Sequence, residues 1–446
     1  MPGISEAGSR DLLANLAKLF IAKHEVLSPD YWIDFDAEPV ACEYFSRPGK
    51  YLRPLFLLVS FLTVRSRVLG EKIHEGMDLA AILDMSTLFK VASALERFHQ
   101  SCLALDDILD GADERRGGPA LHIVLQDFYN RSAPQYLDPL YKDLIPDARY
   151  TVLQWGLVAM CDLWCAIAEA TGSPPLDFST GWGSRRHRLE GISVNNERDE
   201  IQNKERFREC IFEEISKWIG LYSNDLSGRL PGLQYDLLSS VLLAYRETLD
   251  GELRDLIWSN VGYDPTLPDL EWLHRLKTSR YSVLLPLEVG AKLADPKVSF
   301  WFLKCLEAAG LHFGTAFQKL DDLLVLAHPN QAGKDCRADL VNGSPTTVII
   351  LAAQRMRELR RGKEWNRLLQ ACQTSVTAQE KCIKLIREIG VADSVRRMVE
   401  NDLAECDLAL EMGNQRDYDT TLLRHMLHGM VGAMDDLSGV HHKEGV

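Results

Sequence analysis

Apolar residues recur along this chain at intervals of three and four, the spacing that buries one face of an α-helix. The pattern predicts a helix over residues 9–25, carrying Leu12, Leu13, Leu16, Leu19 and Phe20. Asp30 to Pro39 reads as a turn-rich connection. A second helix follows the break at Pro48-Gly49, where Pro54 suits the first turn of the apolar run from Leu55 to Val64. The most regular stretch repeats Leu88, Val91, Ala92, Leu95, Phe98, Cys102 and Leu105. Residues 150–171 predict a long apolar helix in which Asp162 is the only acid with a buried look. No period-two alternation is sustained enough to need a sheet, and no repeat of solenoid length is visible. From about 172 to 232 the composition turns to Gly, Pro, Ser and charge. Within it Phe207, Ile211, Ile215, Trp218 and Ile219 keep helical register, so the segment reads as an insertion holding one amphipathic helix.

Composition sets bounds on this all-α reading. With 446 residues, 46% of them hydrophobic and 26% charged, the chain can bury a large core. A formal charge of −14 argues against nucleic acid as the main partner. The ten cysteines, Cys42, Cys102, Cys161, Cys165, Cys210 and Cys305 among them, form no C-x-x-C pair and read as reduced thiols. The start, MPGISEAGSRDLL, has no apolar signal core, and no run reaches the length of a membrane span. A soluble cytoplasmic protein is the expectation.

Chemistry enters where the Leu88–Leu105 helix runs into acid. Asp106 and Asp110 are one turn apart and share a side, Asp107 lies roughly 100° round from Asp106, and His99 sits two turns below it. The sign then reverses, with Arg115 and Arg116 just before Gly117-Gly118-Pro119. One reading is a solvated helix end whose charges neutralise one another. The other starts from the helix dipole, which disfavours carboxylates at a C-terminal end and so calls for a cation. A few hard oxygen ligands suit Mg²⁺ bridging to a phosphate, and neighbouring arginines suit the phosphate itself. Lys50 and Arg53 flank a helix N-terminus, which is either an anion site or a pair of solvated cations. Farther on, Gln318, Asp321 and Asp322 fall within one turn, followed by Lys334, Asp335 and Asp339. Lys277 and Thr278 stand at the predicted start of another apolar helix. Two acid-rich helix ends, each trailed by cations, are accounted for economically by a cavity in which they face metal ions and a diphosphate.

In order and content these pieces resemble the trans-isoprenyl diphosphate synthases, or polyprenyl synthetases, with a geranylgeranyl diphosphate synthase-like character. GKYLRP stands for the family's GGKRxRP, and HQSCLALDDILDGADERRGGP for its first aspartate-rich motif. GELRDL stands for GQxxDL, LKTSRYS for the Lys-Thr site, and FQKLDDLLVLA with GKDCRADL for the second aspartate-rich region. The resemblance runs from Gly49 to about Met430 apart from the insertion. It implies one isoprenoid synthase domain over residues 1–446, a helical bundle around a central cavity, and generally a homodimer. It implies Mg²⁺ ligands at Asp106, Asp110 and Asp321, supported by Asp107 and Asp322. Arg115, Lys277 and Lys334 would hold an allylic diphosphate, while Lys50, Arg53, His99 and Arg116 would hold isopentenyl diphosphate. Thr278 and Gln318 would line the reacting centre. The implied reaction is chain elongation, in which Mg²⁺ helps the allylic diphosphate leave and the double bond of isopentenyl diphosphate traps the cation.

Five positions depart from the family pattern. Tyr51 replaces an Arg, Leu105 a His, Glu252 a Gln, Val325 the last acid of the second motif, and Ser344 a downstream Lys. The losses at Val325 and Ser344 fall on the allylic side, and apart from Tyr51 the isopentenyl side is intact. An elongating prenyltransferase is therefore the leading reading, since a cyclase has no use for a second diphosphate pocket. The alternatives are a family-derived terpene cyclase or a transferase to a non-isoprenoid acceptor, and a non-catalytic partner subunit. With small Ser101 and Cys102 one turn below Asp106 and Phe98 two turns below, the product is expected at about C20 to C25, each isoprene unit needing about one turn of open wall. Phe98 facing another core helix instead fits the periodicity equally.

Overall fold

The computed structural model describes residues 4–24, 38–47, 49–83, 86–110, 112–136, 148–172, 232–261, 265–326, 337–342 and 344–437. They are helical almost throughout, as the apolar spacing predicts. Helix bounds follow local signals that this spacing does not carry. The first helix runs Glu6–Lys23, because Ser5 Oγ accepts the Gly8 N–H at 3.0 Å and closes the first turn three residues early. Glu38–Ser46 is a helix between the expected connection, which ends at Pro39, and the break at Pro48-Gly49, a stretch to which the spacing assigns no element. Its second residue is Pro39, tolerated there because a first-turn N–H has no intrahelical partner anyway. The insertion expected at 172–232, with its amphipathic helix, lies outside the described residues apart from its two ends.

By its contacts the chain divides into two compact units. One comprises Ala17–Pro54 and Leu83–Leu242. In it the Ser86–Asp110 helix packs along the Ala148–Ala170 helix. The spacing predicts one buried face, yet every residue from Val91 to Ser101 is buried, including Glu96, Arg97, His99 and Gln100. Arg97 has a partner there: its Nε donates to Asp162 Oδ2 at 2.7 Å, so the buried acid foreseen in the Ala148–Ala170 helix has its counter-charge on the Ser86–Asp110 helix. Around the acidic end, Tyr44, Phe45, Ala104, Leu121, Leu125 and Val152 form an apolar cluster. Beyond it lies a feature too short for any alternation to reveal, an antiparallel pair of two-residue strands, Glu114–Arg115 and Gly118–Pro119. Arg116 and Gly117 close it with φ of 52° and 75°, the left-handed pair of a type I′ turn.

The other unit comprises Met1–Leu16, Leu55–Ile82 and Leu243–Val446. Its axis is the Phe300–Leu323 helix, packed along Val391–Asn414 and against a continuous helical run, Leu267–Ala294. The middle of that run, Arg275–Leu284, is π-helical. Lys277 and Thr278 therefore lie inside a helix instead of starting one, in a wider turn that ten residues of apolar spacing do not distinguish from an α-turn. Close packing around the wide turn needs glycine. A Cβ on Gly314 would collide with Ser279, and one on Gly251 would come within 2.9 Å of the Lys277 amide nitrogen. Leu320, Leu323, Val348, Trp365, Ile386 and Val395 are core residues of this unit. Among the described residues no helix is long and apolar enough to cross a membrane, and Cys305, Cys372, Cys382 and Cys406 are buried thiols outside any disulfide.

Candidate active site

One acid-rich helix end lies in each unit. In the first, Asp107 is fully buried and its carboxylate is already engaged: Arg115 Nε donates to Oδ1 at 2.6 Å and the Tyr44 hydroxyl approaches Oδ2 at 3.5 Å. Asp106 is only partly buried and meets Arg115 Nη2 at 3.4 Å. Burial pushes the Asp107 carboxyl up to about 6 even with Arg115 opposing it, and burial likewise raises the Tyr44 hydroxyl, followed by the charge of Asp107. Asp110 is the last helical residue, one turn beyond Asp106. Arg116 donates to the Arg47 carbonyl at 3.2 Å and stands 3.9 Å from the buried Glu96. His99 is buried beneath, held well below the ordinary histidine range by burial and then by the charges of Arg53, Arg116 and Arg115. A neutral imidazole there leaves the positive charge to the arginines. Arg53 is half-buried and Lys50 exposed.

At the second end the side chains form a relay. Thr278 Oγ1 donates to Gln318 Oε1 at 2.7 Å, and Gln318 Nε2 reaches Asp322 Oδ1 at 3.4 Å. Asp322 is buried, and its other oxygen accepts the Thr347 N–H at 2.8 Å, tying the Phe300–Leu323 helix to the first turn of Thr347–Glu358. Burial lifts its carboxyl to about 6 against those hydrogen bonds, and burial lowers the neighbouring His274 ring to about 3, helped by the charge of Lys319. Asp321, one residue before, is partly exposed. Lys277 Nζ lies 2.7 Å from Glu252 and 2.9 Å from Asp255. Lys334 lies outside the described residues. Val325, where the family pattern has an acid, is buried in the core with Leu320, Leu323 and Leu326, and Ser344 gives its N–H to the Asp339 carbonyl at 3.0 Å.

Among the described residues no three His, Cys, Asp or Glu side chains form a ready-made metal cage. Mg²⁺ seldom needs one, because it keeps water and substrate phosphate in most of its positions and takes only one or two carboxylates. The donor set is hard oxygen throughout, and Asp106 keeps lone pairs available beside its single long contact to Arg115. These residues fit the ion in kind.

Tyr44, Arg47, Glu96 and Arg97 belong to the first cluster and escape a reading of the sequence. Tyr44 and Arg47 lie at the end of the unforeseen Glu38–Ser46 helix, some 60 to 70 residues from the groups they touch. The one usable signal is Pro39 followed by eight residues without a break.

The sequence profile of the polyprenyl synthetase family matches residues 38–133 and 214–388, more than half of the chain, and passes over 134–213. No curated protein matches the sequence significantly. Solved structures do resemble the fold. A polyprenyl synthase from Caulobacter crescentus CB15, complexed with calcium and isoprenyl diphosphate, is similar with a TM-score of 0.61 at 17% identity, covering 97% of this chain and 98% of that one. A geranylgeranyl pyrophosphate synthase from Corynebacterium glutamicum, complexed with isoprenyl diphosphate and magnesium, gives 0.58 at 19% identity over 96% and 97%. A decaprenyl diphosphate synthase from Rhodobacter capsulatus gives 0.60 at 16% identity over 97% and 99%. These are likenesses of fold, and their names span very different product lengths. With the profile matching most of the motif-bearing sequence and the helical fold agreeing along nearly all of it, this chain belongs to the polyprenyl synthetase family.

Proposed function

We propose that the protein is a Mg²⁺-dependent prenyltransferase that condenses an allylic prenyl diphosphate with isopentenyl diphosphate into a longer trans-prenyl diphosphate of about C20 to C25, the length resting on about one helical turn per isoprene unit. The carrying observation is the Asp106–Asp107–Arg115 cluster at the end of the Ser86–Asp110 helix, where one guanidinium, itself only partly exposed, meets two neighbouring carboxylates. Asp106, Asp110 and Asp321 would hold Mg²⁺, with Asp107 and Asp322 ordering them. The ion, when bound, supplies charge withdrawal from the diphosphate leaving group.

The protein's own groups do the rest. Arg115, Lys277 and Lys334 bind the allylic diphosphate, and Lys50, Arg53, His99 and Arg116 the isopentenyl diphosphate. Thr278 donates its hydroxyl hydrogen bond to Gln318 Oε1, so its oxygen presents lone pairs to a developing allylic cation. His99 acts as a hydrogen-bonding wall, and the proton lost after condensation passes to the departing diphosphate. We read the working form as a cytoplasmic homodimer, which light scattering of the purified protein tests.

Val325 supports a second reading, a terpene cyclase or a transferase to another acceptor, because the second acidic end lacks its last carboxylate. Incubation with Mg²⁺, isopentenyl diphosphate and each allylic diphosphate in turn separates them. Longer diphosphates are expected. Hydrocarbons made without consuming isopentenyl diphosphate would favour the cyclase, and no product at all would overturn the elongating and cyclising readings alike, leaving the transferase to be tested with other acceptors.

A further inference from the structure

Arg47 is buried and spends its donors in a pattern that only a guanidinium can supply. Its Nε and Nη2 grip the two oxygens of Glu43 at 3.0 and 2.8 Å. Its Nη1 reaches two backbone carbonyls of the hairpin, Arg115 at 3.0 Å and Pro119 at 2.7 Å. The hairpin answers in kind, since Arg116 Nη1 donates back to the Arg47 carbonyl. Tyr44, one turn before Arg47, lies under its guanidinium at 5.1 Å and turns its hydroxyl to Asp107. Gly118 completes the fit: a Cβ there would stand 2.8 Å from the Arg47 guanidinium carbon. The end of the Glu38–Ser46 helix thus holds the hairpin by its backbone, and the hairpin's two arginine side chains turn toward carboxylates. One of them reaches Asp106 and Asp107, the other Glu96.

We propose that Arg47 is a positioning residue that clasps the Glu114–Pro119 hairpin and so sets Arg115 and Arg116 together for the two diphosphates. The proposal rests on the prenyl-transfer reading. A long reach with planar, bidentate geometry is needed, so charge alone does not suffice. Because Arg115 is assigned to one substrate and Arg116 to the other, loosening the clasp should weaken binding of both at once.

The test is steady-state kinetics of Arg47→Gln, Arg47→Lys and Glu43→Gln, with melting temperatures measured alongside. Arg47→Gln is expected to raise KM for both diphosphates about tenfold while kcat stays within about threefold, the pattern of lost uniform binding. Arg47→Lys should behave like Gln, and Glu43→Gln should give a smaller shift in the same direction. Unchanged KM values overturn the clasp. So does full rescue by Lys, which would make the role one of charge, or an activity loss that merely tracks the folded fraction. Should Arg47→Gln fail to fold, Gly118→Ala tests the same contact by displacing the guanidinium, and normal KM values in that variant overturn the proposal. If the wild-type protein itself makes no product, the prenyl-transfer reading fails separately. The clasp is then judged by hydrogen exchange over residues 112–120, where faster exchange in Arg47→Gln supports it and unchanged exchange overturns it.

Discussion

Glu252 Oε2 lies 2.7 Å from Lys277 Nζ, so the lysine assigned to the allylic diphosphate is partly neutralised within the protein. Asp255 already supplies one carboxylate at 2.9 Å, and Glu252 adds a second where the family pattern has a neutral Gln. The group is partly exposed, which limits such a pair to about 1 kcal/mol. Glu252→Gln is therefore expected to lower the allylic KM by about three- to tenfold and to leave the isopentenyl KM alone. A raised allylic KM would show instead that Glu252 aims the lysine.

Metal dependence should run through Asp106. Its carboxylate is the partly exposed one of the pair, with only a long contact to Arg115. Asp106→Ala should cut kcat by about a thousandfold or more, equivalent to about 4 kcal/mol of transition-state stabilisation. Turnover near the wild-type rate, measured across a Mg²⁺ titration, would refute the assignment.

Much of this arrangement is readable from spacing, and the unreadable parts have a common cause. The Ser86–Asp110 helix and its acids follow from periodicity along one segment. Its burial on every side does not, because Glu96 and Arg97 look solvent-facing until Arg116 and Asp162 arrive from elsewhere in the chain. The same holds for Asp322. Spacing places it beside Asp321 on an acidic turn, yet its oxygens go to Thr347 and Gln318 and leave Asp321 the more exposed of the two. Local pattern reports which face is apolar; it carries no record of polar partners brought by the fold.

The isopentenyl side should separate from the allylic side. Lys50 is exposed and Arg53 half-buried within reach of the buried Glu96, whose carboxyl is raised by burial and held down by Arg53 and Arg116. Lys50→Ala and Arg53→Ala should raise the isopentenyl KM, Arg53 the more, with the allylic KM nearly constant. Equal effects on both substrates would contradict the two-pocket assignment, and no effect from either would favour a cyclase.

Acid should weaken the fold through His24. Its ring contacts Ser93 Oγ at 3.0 Å and packs near Phe20 and Tyr51, while burial and then the charge of Arg97 lower it from 6.5 to about 4. The unfolded chain takes up this proton first, so the contribution is whole above about pH 6.5 and is lost as pH falls toward 4. Urea midpoints at pH 7.0 and 5.0 should therefore drop less in His24→Gln than in the wild type. Parallel drops would exclude His24 as the group responsible.

Product length gives the sharpest test of how the Ser86–Asp110 helix is turned. The spacing offers both Ser101 and Cys102 one turn below Asp106, but the structure distinguishes them. Ser101 is buried, donates to the Phe98 carbonyl at 2.7 Å, and lies 4.0 Å from where a Cβ on Gly156 of the Ala148–Ala170 helix would stand. A phenyl group there would overpack the two helices, at about 1–3 kcal/mol, without entering a channel. Cys102 is only partly buried and shares with Asp106 and Phe98 the stripe at intervals of four. Cys102→Phe should then shorten the product toward C15, Phe98→Ala should lengthen it, and Ser101→Phe should chiefly lower the melting temperature. If chain length moves with Ser101 and not with Cys102, the growing chain runs along the Ala148–Ala170 helix, and the wall has been assigned to the wrong side.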